Sequence, residues 1–233
     1  IPAGLLEDSE AAEGPDDPDE SSGDSKRLSL EVLNSSGEPI RRLAVAEGGE
    51  QSGVERLVWD MRFAPTYVDS ENSGRTVEGP RMLPGEYEIR LAVAGDTVTR
   101  EVTVLPDPEM PLTEQENEYR HRFALGVAQT LGLARATVKS AEETAAALEE
   151  ARSALDQTAG ASAELDELVD SLTDRVSDLQ EELRQVERVA GGVYSNIQRS
   201  MDLPTEDQET GAGWSAERLE VLMERLRTVI REE

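Results

Sequence analysis

The sequence predicts an α+β multidomain protein: a small antiparallel β-sandwich of immunoglobulin-like type, followed by a long antiparallel helical hairpin or three-helix bundle. Three observations carry this reading. Apolar and polar residues alternate in short runs between residues 26 and 108, the pattern of half-buried strands. Turn-forming residues, including Ser35-Ser36-Gly37 and Pro84-Gly85, separate those runs. From Thr113 onward the apolar period lengthens to alternating steps of three and four, which is the spacing of a packed helix seam.

Composition bounds the rest. The 233 residues carry 23 basic and 50 acidic side chains for a net charge of −27, with 37% hydrophobic and 3% aromatic residues. So few aromatics favour small or elongated units over large globular cores. That much negative charge excludes nucleic acid and anionic membrane surfaces as partners, because phosphate binding needs clustered Lys and Arg. Lys26 and Lys139 are the only lysines. The arginine bias fits a GC-rich or halophilic source, where salt screens self-repulsion. Without cysteine the chain has no disulfide and no thiolate metal site. No stretch reaches the roughly 18 apolar residues of a membrane span, so no membrane insertion is expected. The start lacks both an initiator Met and a signal-peptide pattern, which leads to the expectation of a fragment whose signal peptide or catalytic module lies upstream.

Residues 1–25 read as an acidic linker. The run from Glu7 to Asp24 holds nine carboxylates and two prolines with almost nothing apolar, too little to offset the entropy of ordering. It lacks the alternating Asp/Asn ligands, central Gly and closing Glu of a calcium loop. In residues 26–108, Leu28, Leu30 and Val32 share one face, and a turn at 35–39 leads into Ile40–Val45. The run from Gly53 to Phe63 alternates again and ends on Trp59-Asp60. Tyr87, Ile89, Leu91 and Val93 form the next face, and a tight turn at Ala94-Gly95-Asp96 precedes Val98, Val102 and Val104. Five or more such strands in about 80 residues indicate a sandwich. Trp59 is expected between its two sheets, with Asp60 as a strand-end turn former. The alternative places Trp59 and Tyr67 on the surface as ligand-contact aromatics.

The order of these runs, LSLEVLNSSGEPIRRL, then GVERLVWDMRF, then GPRMLPGEYEIRLAVAGDTVTREVTVLPDP, resembles the immunoglobulin-like domain and helical segment that follow the β-propeller in bacterial sortilin-like, BNR-repeat (glycosyl-hydrolase-like) proteins. More distantly it is similar to the flagellar hook-capping protein, which also has a strand ending in Trp-Asp and a later Pro-Gly-x-Tyr strand. The likeness spans roughly residues 26–233. It implies a secreted, periplasmic or cell-surface setting and an upstream β-propeller as partner. The propeller itself is absent from this chain, so no hydrolase or receptor activity is carried onto these residues.

The helical half spans 113–233, with helices expected at about 113–158, 162–201 and 215–231. Thr113 and Glu116 form a capping box after Pro111, and Gly160 marks the first helix end. The first seam runs from Tyr119 through Val127, Leu131, Val138 and Leu148 to Leu155. Ser162 caps the second helix, whose seam runs from Leu165 to Ile197 and meets Gly191-Gly192, where a kink or close helix contact is expected. The third presents Leu219, Leu222, Leu226, Val229 and Ile230. A second helix that folds back brings the third near the sandwich, giving a three-helix base and a two-helix, alanine-rich tip.

No catalytic, cofactor-binding or metal site is read from the sequence. His121 is the only histidine, and no P-loop, dinucleotide fingerprint or nucleophile elbow occurs. The expected function is therefore that of a non-catalytic accessory and interaction region, a spacer and assembly surface with self-association through the helices or a protein partner. A carbohydrate-positioning module of a glycoside hydrolase is the alternative, and a hook-cap-like assembly chaperone a further one.

Overall fold

The computed structural model describes residues 29–44, 57–93, 96–109, 112–158 and 162–232. The predicted linker 1–25, residues 51–56 at the start of the Trp-Asp run, the turn pair Ala94-Gly95 and the helix-ending Gly160 lie outside the described residues.

The protein is α+β. Its strands are β1 (Ser29–Leu33), β2 (Pro39–Ala44), β3 (Gly85–Val93) and β4 (Asp96–Val104), and its helices are α1 (Glu114–Asp156), α2 (Ala163–Arg199) and α3 (Glu206–Glu232). The strands form one antiparallel sheet in the order β2-β1-β3-β4. Asn34 makes the first turn: its Oδ1 accepts from the amides of Ser36 and Glu38, and Gly37 supplies the positive φ of 80°. Registers place Val32 opposite Ile89, Leu30 opposite Leu91, and Tyr87 opposite Val102, so one face is apolar. The other carries Glu31, which pairs with Arg42 and Arg90.

The sequence anticipates two sheets, and among the described residues only one is formed. The described part of the Trp-Asp run, residues 57–63, forms no strand of this sheet. After Trp59 the chain turns, because Asp60 Oδ1 accepts from the Arg62 amide and Met61 adopts φ 54°, in the left-handed region that ends an extended run. Only single bridges follow, Arg62 with Arg81 and Tyr67 with Val77. Trp59 and Phe63 pack on the apolar face of the sheet, while Val58 and Met61 are exposed.

The helices obey their caps. Thr113 accepts from the Glu116 amide while the Glu116 carboxylate receives the Thr113 amide, and Ser162 accepts from the Glu164 amide. α2 runs unbroken through Gly191-Gly192, with Leu131 of α1 packed against Gly191. α3 begins at Glu206, nine residues before the expected start at 215. Its cap is a Thr205–Gln208 pair, each backbone amide bonded to the other's side chain, and the helix continues through Gly211, which faces Val193 and Val189 of α2.

α1 and α2 run antiparallel: Arg120 reaches Ile197, Arg135 pairs with Glu187, and Gln180 donates to the Ala141 carbonyl. Tyr119 bonds Glu209 at the start of α3, and Ile230 near its end lies by Thr137 and Ser140, so α3 runs alongside the first two-thirds of α1. Ala134, Val138, Leu179, Leu183, Leu222 and Val229 are the centre of their common core.

Candidate functional site

The segment 57–84, between β2 and β3, crosses from the sheet to the helices and joins them. Its near end belongs to the sheet, where Trp59 and Phe63 pack with Val32, Met82 and Tyr87. Its far end belongs to the helices, where Tyr67 and Val77 pack with Ala124, Val127, Leu131, Val193 and Ile197. Two glycines permit the close approach. A Cβ at Gly79 would lie 2.5 Å from the Phe63 and Ala64 carbonyl oxygens, and one at Gly132 would lie 2.8 Å from the Thr66 carbonyl oxygen. The first lets the two limbs of the strap touch, and the second lets the strap lie on α1.

Polar contacts complete the joint. Thr66 donates to the Ala128 carbonyl at 2.7 Å, and Tyr194 donates to the Glu78 carbonyl at 2.6 Å. Arg62 bridges the Gly79 carbonyl and Gln198. Arg135 donates to the carbonyls of Arg75 and Thr76 while pairing with Glu187, and Arg75 pairs with Glu142. Lys139 lies between Glu71 at 3.4 Å and Asp69 at 4.0 Å.

These surroundings move several titrations. Burial pulls the Asp69 carboxyl upward, but the amides of Asn72 and Glu71 and the charges of Lys139 and Arg75 outweigh it and hold it below its ordinary value. Lys139 is raised by its bond to Glu71 and by the charges of Glu71 and Asp69. Burial pushes the Tyr194 hydroxyl up to about 12. His121 is lowered by burial and by the adjacent Arg120 charge; its Nδ1 faces the Arg81 carbonyl at 3.1 Å and its ring lies 4.8 Å from that of Phe63. Each shifted group is turned toward a neighbouring backbone or counter-charge, which is the chemistry of a fastening.

The two aromatics singled out in the sequence lie at opposite ends of this strap. Trp59 is half-buried, donates to the Arg62 carbonyl at 3.2 Å and meets Tyr87 edge-on with centroids 6.3 Å apart. Tyr67 is half-buried among helix residues, and its hydroxyl has no protein partner. They belong to separate apolar clusters and form no shared surface. Among the described residues the exposed aromatics are Tyr119 on α1 and Trp214 on α3, the latter with exposed Val221 one heptad on. Trp214 belongs to the part of α3 that precedes the expected start at 215, and Thr205 followed by Gln208 is the signal for the earlier start. At the far end of α1 and α2, Leu165 and Leu168 are exposed. Among the described residues, no group of three or more His, Asp or Glu is arranged to hold a metal ion, and no helix is long and apolar enough to cross a membrane.

No family model, curated protein or solved structure matches the chain.

Proposed function

We propose that this chain is a non-catalytic accessory and protein-interaction region of a larger secreted propeller protein, in which the sheet is the seat and the helices are an arm. In this reading the sheet with its strap is a reduced immunoglobulin-like sandwich, and the three helices are a bundle. The observation that carries the proposal is the unequal length of the helices on a fastened base. α1 has 43 residues, about 65 Å at 1.5 Å per residue, and its last turns extend past the end of α3. There Arg152 pairs with Asp170 of α2, and Leu165 and Leu168 face solvent. A strap anchored in both cores transmits the position of the sheet to that tip, as a spacer requires. The order of the Trp-Asp and Pro-Gly-x-Tyr runs supports the propeller setting.

Light scattering on the full chain and on a Leu165→Ser/Leu168→Ser variant, in multimolar salt, tests the assembly role. The expected result is a wild-type mass above the monomer that falls to the monomer in the variant, with unchanged circular dichroism. A wild type that stays monomeric at every concentration, with a variant indistinguishable from it, would contradict that role.

A further inference from the structure

The two edges of the sheet are built differently. β2 begins with Pro39, carries Arg41 and Arg42, and slips register against β1 between Val32 and Leu33; proline, charge and a bulge are the devices that stop further pairing. β4 has neither a proline nor a bulge in its strand, and its charges, Asp96, Arg100 and Glu101, are mostly acidic. It pairs with β3 without interruption from Asp96 to Val104, and its first six residues are all exposed, so among the described residues nothing covers its outer edge. The sequence DTVTREVTV is strongly β-forming, and half the main-chain donors and acceptors of an edge strand point away from the sheet.

The strand also leads to a cleft. Pro106, two residues past its end, forms with Leu83, Pro84 and Leu112 the apolar wall of a space of about 350 Å³. Glu114 and Glu118, one turn apart on α1 and both exposed, line the same space. Apolar walls beneath two carboxylates match a side chain with an aliphatic stem and a cationic head. Along the edge Asp96 and Glu101 outnumber Arg100, and the chain as a whole is at −27.

We propose that the β4 edge and this cleft together bind an extended segment of a basic partner protein by strand addition, with an arginine or lysine of that segment seated between Glu114 and Glu118. Main-chain hydrogen bonds to β4 supply the pairing and the cleft supplies the register. Because β4 runs toward the cleft, an antiparallel segment enters with its N-terminal end at the carboxylates. Charge complementarity favours such a partner over a second copy of this chain, whose β4 brings the same negative field.

The proposal rests on the reading of the chain as an interaction region, but it uses a surface remote from the helical tip. The probe is a short synthetic peptide of alternating valine and threonine with an N-terminal arginine, titrated by fluorescence anisotropy against the full chain at fixed salt. Saturable binding is expected, weakened about tenfold by Glu114→Gln/Glu118→Gln and by exchanging the peptide arginine for glutamate. N-methylation of alternate peptide amides should abolish it, and Leu165→Ser/Leu168→Ser should leave it unchanged. Absence of binding, or binding indifferent to N-methylation, would overturn the proposal. So would a concentration-dependent dimer of the Leu165→Ser/Leu168→Ser variant that the peptide fails to dissociate, since the edge would then belong to a second copy. Failure here with intact tip-dependent association leaves the arm reading standing.

Discussion

The base of the helices and their tip are made from the same two helices and differ in what covers them. At the base, α1 and α2 are roofed by the strap on one side and α3 on another, and Ala128, Ala134, Leu183, Val186 and Ala190 are fully buried. At the tip each helix has only the other, and little is covered beside Leu148: Ala145 is half-buried, while Ala146, Ala147, Ala151 and Ala154 are exposed. Leu165 and Leu168, at seam positions by spacing, are 49% and 44% exposed. A seam residue thus contributes stability in proportion to the layers around it, because the apolar area removed from water sets the gain.

Truncating one leucine in each place breaks or sharpens that contrast. Leu183→Ala, in the centre of the base, is expected to cost about 3 kcal/mol through lost transfer free energy and the cavity left behind. Leu168→Ala at the tip should cost under about 1 kcal/mol, both read from urea unfolding. Equal losses would show that the tip is as well supported as the base.

Substitutions in the joint come next. Gly132→Ala puts a methyl into the Thr66 carbonyl and forces the strap off α1, with an expected cost of about 2 kcal/mol; hydrogen exchange should rise in residues 57–84 more than in α2. Arg120 donates to the carbonyls of Ile197, Ser200 and Asp202 beyond the last turn of α2, capping that helix end from a neighbouring helix. Arg120→Met should cost about 2 kcal/mol, since it leaves partly buried carbonyls without their charged donor.

The titrations give smaller effects with definite signs. The Asp69 carboxyl is lower in the folded protein than its ordinary value of 3.8, so its contribution is complete above that value and is lost as pH falls through the lowered folded value. Acid should loosen the strap before the tip melts, and Asp69→Asn should flatten that limb of the stability profile. Tyr194 behaves oppositely. Its folded value of about 12 exceeds the ordinary 10.0, so its contribution is complete below pH 10 and disappears as pH rises through about 12. Tyr87 and Tyr119 are raised as well, so absorbance titration should show several late tyrosines, one of which Tyr194→Phe removes.

The helices were legible because their signals are local. Thr113 with Glu116, Ser162 before Glu164, and the three-four spacing of Leu172, Val176, Leu179 and Leu183 all act within one or two turns. The early start of α3 is written in Thr205 and Gln208, a signal missed when the run through Gly211 and Gly213 is taken as a break. In the folded chain Gly211 faces Val193, and a Cβ there would lie 3.3 Å from it, so the glycine serves close packing of α3 on α2. The strap was not legible. Its partners are distant in sequence, 62 residues for Thr66 with Ala128 and 136 for Arg62 with Gln198; Asp60 marks the turn at Met61, but nothing local says where the chain goes after it. Trp59 was expected inside a sandwich. It is half-buried against the sheet, while the second layer there comes from the strap.

The most direct test of the fastened base follows urea unfolding of a Trp214→Phe variant, in which Trp59 is the only tryptophan. Trp59 fluorescence reports the sheet and strap, and circular dichroism at 222 nm reports the helices. Coincident midpoints for both signals are expected if the strap makes sheet and helices one cooperative unit. A fluorescence transition completed while the helices remain folded would show the sheet to be an independent domain and would contradict the account.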